Sequence, residues 1–369
     1  MIVDLPSTTT AEISKRLVAL RADVGSMALS RVLTLVVSVG ETDAEAAIET
    51  ANDASRQHPS RIIVVVNANA RGAARLDAQI RVGGDAGASE VVILRLYGPL
   101  AAHGRAVVTP LLLADSPIVA WWPGEPPKNP SKDPIGAMAA RRITDASHGR
   151  GTPKGVLTRL GAAYSPGDTD LAWSRITLWR GLLAAALDQP PYEPIVEATV
   201  VAAPDSPSGE LLAGWLAARL KCPVGIAHSN QQTGVISVRL ERRSGEIDLV
   251  RPEEGNVATL CQDGQPDRTI ALAHRGDAEC LADELRRLDV DEVYEDALLR
   301  GLPKVAQLRR SVADLVQEGE VASTVEAAKI ARAIRRKASA GGRNAMVEPP
   351  AAPATSPEPP AVHPEGAGS

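Results

Sequence analysis

From Val32 to Val39 the chain is almost uninterrupted aliphatic and β-branched sequence. A run of that kind predicts a strand buried on both faces. Gly40 and Glu41 end it, and Thr42-Asp43-Ala44-Glu45 has the spacing of a capping box, a hydroxyl and a carboxylate serving the free N–H groups of a helix start. Ala44, Ala47, Ile48, Ala51 and Ala54 then recur at helical spacing, with Glu45, Glu49, Asn52 and Arg56 elsewhere on the circumference. Pro59 closes the helix, and residues 61–66 are a second buried run. Strand, amphipathic helix, strand predicts a βαβ unit with parallel strands. Residues 76–82 and 90–96 predict two more strands, joined by a hairpin turn at Gly83-Gly84-Asp85-Ala86-Gly87. A helix over 100–113 follows Pro99, and a short strand over 118–122 is stopped by Pro123-Gly124.

The strongest helical pattern covers 170–187. Asp168 and Asp170 stand at its positive N-terminal end. Its polar stripe is narrow, so the pattern predicts burial on most sides, and Arg175 and Arg180 on the flanks then need carboxylate or carbonyl partners. Residues 195–202 predict a strand, 207–220 a helix and 224–227 a strand. A meander follows over 235–242, 246–250, 257–261 and 269–273, with helices at 278–288 and 291–300 closing that half. Ser323-Thr324-Val325-Glu326 is a second capping box. It opens a basic amphipathic helix with Ala327, Ile330, Ala331 and Ile334 as its stripe, expected to be exposed. Beyond Gly341 the chain is Pro, Ala, Glu and Gly, a composition that predicts disorder.

The fold class is therefore α/β: a mixed sheet with a βαβ unit in the N-terminal half, an α+β C-terminal domain with antiparallel strands, and a disordered tail. Expected limits are 1–130 for the first domain, 131–190 for a helical connector, 191–303 for the second domain, 304–340 for the basic extension and 341–369 for the tail.

Composition narrows the chemistry. The 369 residues include no Phe and only 2% aromatics, so the core must be Ala, Val, Leu and Ile, with five Trp standing out. A net charge of −5 with few aromatics argues against nucleic acid, which needs a basic stripe and stacking faces. Cys222, Cys261 and Cys280 are far apart and odd in number, which suits neither a disulfide framework nor a zinc site. With no basic-then-apolar N-terminus and no apolar run of about 20 residues, a cytoplasmic protein without membrane attachment is expected.

There is no Gly-x-Gly-x-x-Gly after the first strand and no phosphate loop. The six histidines have no metal-ligand spacing, and no nucleophile elbow is present. No catalytic, metal or cofactor-binding residue is assigned. Three clusters remain: His58 to Arg61 at the helix-to-strand turn, Trp121-Trp122-Pro123-Gly124, and Asp170 to Arg175 continuing to Trp179-Arg180. For the tryptophans, a core role and an exposed interface role both stand, because adjacent strand residues face opposite ways. For Arg175 and Arg180, a buried ion pair and recognition of a phosphate or partner both stand.

Four stretches carry a resemblance: 58–63, 75–79 with Gly83-Gly84-Asp85, 116–124 and 168–177. In sequence and in order they resemble the OpcA family, the glucose-6-phosphate dehydrogenase assembly proteins, over Met1 to about Pro303. The resemblance implies a non-catalytic accessory protein that binds that dehydrogenase and shifts it toward an active oligomer or tighter substrate binding, supporting NADPH production in the oxidative pentose phosphate pathway. Partner contacts would then fall at His58, Arg61, Trp121, Trp122, Asp170, Trp173, Arg175 and Arg180. The rivals are a sugar-phosphate- or nucleotide-binding enzyme and a passive assembly scaffold. An arginine-lined cleft beside a perturbed carboxylate would favour the enzyme, and an apolar patch near the paired tryptophans the activator.

Overall fold

The computed structural model describes residues 1–23, 33–82, 90–230, 233–252 and 256–343. The hairpin turn expected at 83–87 and residues 344–369 of the expected disordered tail lie outside them. In chain order the first elements are β1 (Ile2–Leu5), α1 (Thr10–Asp23), β2 (Leu33–Gly40), α2 (Ala44–Ser55), β3 (Ser60–Asn67), β4 (Arg75–Val82) and β5 (Glu90–Tyr97). Then come α3 (Gly104–Val108), β6 (Ile118–Trp121), β7 (Arg141–Thr144), α4 (Pro153–Ala162), β8 (Asp168–Asp170), α5 (Leu171–Arg175) and α6 (Thr177–Leu187). The second half holds β9 (Glu197–Ala202), α7 (Pro207–Arg219), β10 (Val224–His228), β11 (Val235–Arg242), β12 (Gly245–Val250), β13 (Val257–Gln262) and β14 (Arg268–Ala271). It ends with α8 (Asp277–Arg286), α9 (Glu292–Glu295), β15 (Ala306–Gln307), α10 (Val312–Gln317) and α11 (Val325–Arg343).

Among the described residues the strands form two sheets, ordered β1-β4-β5-β3-β2-β6-β7-β8 and β14-β13-β12-β11-β9-β10-β15. The expected βαβ unit is present: β2 and β3 pair in parallel from Leu33 opposite Ser60 to Gly40 opposite Asn67. From β5 to β8 the first sheet is parallel, and β4 and β1 are antiparallel at its edge. The meander β11 to β14 is antiparallel as expected. The mixed α/β class read from the sequence holds.

One face of the first sheet carries Val37, Val64, Ile93 and Trp121 under α2 and α8. The other carries Val36, Val65, Leu94 and Trp122 under α1 and α3. In the second sheet, Val200, Val238 and Leu249 face Trp173, Trp179, Leu183 and Leu211, from α5, α6 and α7, while Val201 and Ile236 face α10. No helix among the described residues is long and apolar enough to cross a membrane.

Several local expectations change. A 3-10 turn over Glu41–Asp43 leads directly into α2, and Asp43 makes no side-chain cap, so Thr42 lies inside the turn and the capping box does not form. The helix expected over 100–113 is a series of short 3-10 and α turns, since Pro110 lacks a donor and Gly104 favours no helix. The long helix at 170–187 is two helices, broken at Ile176 with φ −95° and ψ 8°. Nor is α6 buried on most sides: Trp179, Leu183 and Ala186 face inward, and Thr177, Leu178, Gly181, Ala184 and Ala185 are exposed. The helix at 278–288, expected to close the second half, is α8, and it packs on α2 of the first. Its Cys280, Leu281 and Leu285 meet the alanine face of α2, where small side chains permit close approach.

The basic helix α11 is not a solvated arm. Ala328 and Ala331 are fully buried and Ala327 nearly so, whereas Ile330 is 46% exposed. Arg332 reaches Asp267 at 3.4 Å, Arg335 reaches Glu241 at 2.5 Å and Arg336 reaches Asp263 at 2.9 Å. Alanines set the approach, and the arginine stems cover the sheet while their heads find its acids.

Two glycines set the tightest helix crossing. A Cβ on Gly301, at the end of the π-helical turn Asp296–Gly301 that continues α9, would stand 1.8 Å from the carbonyl oxygen of Gly214 in α7. A Cβ on Gly181 would meet nothing within 4 Å. Gly301→Ala should therefore lower unfolding free energy by about 2 kcal/mol or more through overpacking. Gly181→Ala should raise it by about 0.5–1 kcal/mol, because it only restrains the unfolded chain. Urea unfolding of both variants checks the pair; equal effects would contradict the crossing.

Candidate functional site

The eight residues singled out from the sequence divide into two sets. His58 is half-buried at the turn before β3. Arg61 is 3% exposed, ion-paired to Glu90 at 2.8 Å and donating to the Leu111 carbonyl at 2.6 Å. Trp121 and Trp122 are 1% and 5% exposed, one on each side of the first sheet. The argument that they cannot share a core is correct, yet each side has its own core. As placed, they offer no surface to a partner. Asp170, Trp173, Arg175 and Arg180, in contrast, come together on α5, its N-cap and α6, beside the β7–β8 edge of the first sheet and α8.

Strands β7 and β8 bring the first charges to this junction. From β7, on the face covered by α8, Arg141 forms an ion pair with Glu284 and donates to the Asp289 carbonyl at 2.7 Å. Glu284 also accepts the Ser174 hydroxyl of α5. On the opposite face Arg142 pairs with Asp168. Both partners of each pair are nearly buried, and such charges are tolerated only when every one is matched.

Asp170, fully buried, caps α5. It accepts the Ala172 N–H at 2.9 Å, the Ala146 N–H at 3.0 Å and the Thr144 hydroxyl at 2.6 Å. Burial, and then the nearby Asp145 charge, push its carboxyl up to about 7, against those hydrogen bonds. Asp145 itself goes the other way. Burial would raise it, but the Arg175 guanidinium, at 2.5 Å and 3.0 Å, holds it below its ordinary value. Arg175 also reaches Asp277 at 2.7 Å, tying α5 to the start of α8.

Beyond Ile176 the chain turns Arg180 into a cleft of about 630 Å³ lined by Trp173, Thr177, Glu284, Val290 and Asp291 among others. Its guanidinium carbon lies 3.6 Å from the Trp173 ring centroid, a cation–π stack. The Trp173 indole N–H donates to Asp291 at 2.8 Å, and Asp291 also caps α9. Arg180 donates to the Thr177 hydroxyl at 3.2 Å, its buried Nε has no hydrogen-bond partner among the described residues, and burial, opposed by the nearby Asp291 and Glu284 charges, pushes the group down to about 10.

The sequence reading anticipated partners for both arginines. Arg175 has two carboxylates, whereas Arg180 has a hydroxyl and an indole face. It missed Arg141, Asp145, Asp277, Glu284 and Asp291, which lie up to 148 residues from what they bind. No spacing rule joins residues so distant; only the demand that Arg175 find an anion pointed toward them.

Residues 51–162 match the family model described as the glucose-6-phosphate dehydrogenase subunit N-terminal domain, and residues 166–298 the one described as its C-terminal domain. The matched spans meet inside the stretch read as a connector. Arg141–Glu284, Arg142–Asp168 and Arg175–Asp145 all cross from one span to the other. A search of curated proteins gives no match. Among solved structures, the aldose-aldose oxidoreductase from Caulobacter crescentus complexed with glycerol covers 72% of this chain and 94% of its own at 10% identity, with a TM-score of 0.41. Nothing about activity rests on so distant a likeness.

Two outcomes follow from the junction. Glu284→Ala strands the buried Arg141 and should cost about 3–5 kcal/mol, of which Arg141→Met with Glu284→Leu should recover a large part; denaturant unfolding of both variants checks this. Between about pH 4 and pH 7 folded Asp170 keeps a proton that the unfolded chain releases. Its contribution to stability therefore falls as pH rises, by up to about 1.4 kcal/mol per unit. Asp145 acts below that window, its contribution being lost as pH falls through its depressed value. Asp170→Asn should flatten the slope between pH 5 and 7, and an unchanged slope would remove Asp170 as its source.

Proposed function

The chain belongs to the OpcA family of glucose-6-phosphate dehydrogenase assembly proteins, and from that membership we propose that it is a non-catalytic, cytoplasmic activator of the dehydrogenase. It binds the enzyme and promotes its active oligomer or its hold on glucose 6-phosphate, and so supports NADPH production in the oxidative pentose phosphate pathway. The observation that carries this reading is that both family domains are matched in one chain, over residues 51–298. The buried ion pairs joining the two matched spans support it, because they tie both spans into one packed body.

Activation demands that the protein bind the active form more tightly than the inactive one, since equal binding shifts nothing. The coupling is reciprocal for binding, so glucose 6-phosphate should tighten the complex by the same factor.

One observation favours a catalytic reading: the cleft at Arg180. Three of its five carboxylates are already committed, Glu284 to Arg141 and Ser174, Asp283 to Arg275 and Arg286, and Asp291 to Trp173 and the α9 cap, while Asp289 and Glu292 are exposed at its mouth. Asp170, whose carboxyl burial pushes up to about 7, is sealed from the cleft at 0% exposure. Such a site can bind, but the carboxylates it leaves uncommitted are exposed surface groups rather than groups set in a buried pocket.

Steady-state kinetics of the dehydrogenase from the same cell, with and without this protein, test the proposal. A lower KM or higher kcat that saturates with added protein is expected. Binding without a kinetic change would make the protein a passive scaffold, and no binding would overturn the proposal.

A further inference from the structure

The two faces of the second sheet differ in kind. Val200, Val238 and Leu249 point into the main core. Across the other face run Thr199, Arg239, Asp248 and Cys261, each opposite the next, and beside them Glu197, Glu241 and Glu246. Alternation of that kind marks a sheet with one face in water. Here the face is covered: Arg239, Asp248 and Cys261 are 1%, 0% and 0% exposed. The cover is the C-terminal pair α10 and α11, which lies beyond residue 298, where the second family match ends.

The two helices are held differently. From α10 and the turn after it, Val312, Leu315 and Val321 pack on Val201, Ala227 and Ile236, an apolar clamp. Among the described side chains of α11, only Ala327, Ala328 and Ala331 are buried, Ala328 against Val250 and Cys261. The rest of its hold is charge: Arg332 on Asp267, Arg335 on Glu241 and the Gly319 carbonyl, and Arg336 on Asp263. Such pairs weaken as salt screens them, and lifting the helix returns both partners to water instead of stranding one. Glu246, opposite Glu241, keeps a buried carboxylate oxygen with no hydrogen-bond partner among the described residues, so α11 leaves the acidic strip partly unsatisfied.

We propose that α11 is an ionic strap that lifts from the sheet while α10 and both matched spans stay folded, and that the strip it uncovers, Glu241, Asp263 and Asp267, is a docking site for a basic amphipathic helix of a partner, with α11 as its built-in competitor. Charge complementarity selects the occupant, because the strip already holds a helix of that chemistry. Opening of one unit at a cost below that of global unfolding is expected where few apolar contacts are lost. The inference stands apart from the dehydrogenase reading and does not depend on it.

Iodoacetamide labelling of the full chain, read at each cysteine by mass spectrometry, tests it. Cys261 lies under the helix, close enough to feel both Arg332 and Asp267, and reports lifting. Cys280, in the core between α2 and α8, reports global unfolding. Raising potassium chloride from about 0.05 M to about 0.5 M should speed labelling of Cys261 by about tenfold or more. The combined variant Arg332→Glu, Arg335→Glu, Arg336→Glu should do the same at low salt, with Cys280 protected in both cases. A peptide of the wild-type sequence 322–343, added to that variant, should restore protection of Cys261, and a peptide carrying the three reversals should not. Slow labelling of Cys261 throughout would make α11 a fixed part of the domain and overturn the strap. Parallel rises at Cys261 and Cys280 would overturn it too, since the whole chain would then be unfolding. Lifting without protection by the wild-type peptide would overturn the docking site.

Discussion

The fold depends on charge being matched where the β7–β8 edge of the first sheet meets α5 and α8. Arg141 and Glu284 lie 143 residues apart, nearly buried, with Ser174 and the Asp289 carbonyl filling the remaining hydrogen-bond positions. A joint of Val and Leu would tolerate sliding, because dispersion is non-directional. A buried guanidinium–carboxylate pair tolerates very little, since any shift leaves a charge both dry and alone. A core without Phe has few large anchors for holding two layers together. Directional bonds fix the orientation that bulk does not.

The break at Ile176 gives the two halves of one helical segment different tasks. In α5, Asp170, Trp173, Ser174 and Arg175 are held by Thr144, Asp291, Glu284 and Asp145. Every polar group there faces an element from elsewhere in the chain. After Ile176, whose bridge-region backbone ends the first set of helical bonds, α6 keeps Trp179 and Leu183 in the core and turns its other side to solvent. Arg175 therefore points into the junction and Arg180 into the cleft, although they are five residues apart. A continuous helix would hold both to a single fixed rotation, and the junction's demands would then dictate where Arg180 lay.

What could be read in the sequence was what periodicity encodes. The buried runs at 33–40 and 60–67, the alanine stripe of α2 and the meander β11 to β14 all have patterns imposed by burial on known faces, and they appear where expected. Exposure was harder. Ala, Gly and Leu all count as apolar in a helical wheel, but an exposed alanine forfeits little area, so α6 looked more buried than it is. The same ambiguity ran the other way in α11. Its arginines read as a solvated face, yet Glu241 on β11 and Asp263 and Asp267 in the turn between β13 and β14 receive them.

The candidate site was half legible for a physical reason. Arg175 and Arg180 were conspicuous because charge beside an apolar helix must be compensated, a constraint stated by the sequence even when the partner is not. For Arg175 the chain compensates internally, twice. For Arg180 it compensates in part, with an indole face and a hydroxyl. The cost of that shortfall falls on the isolated chain, since burial has already removed water from the guanidinium.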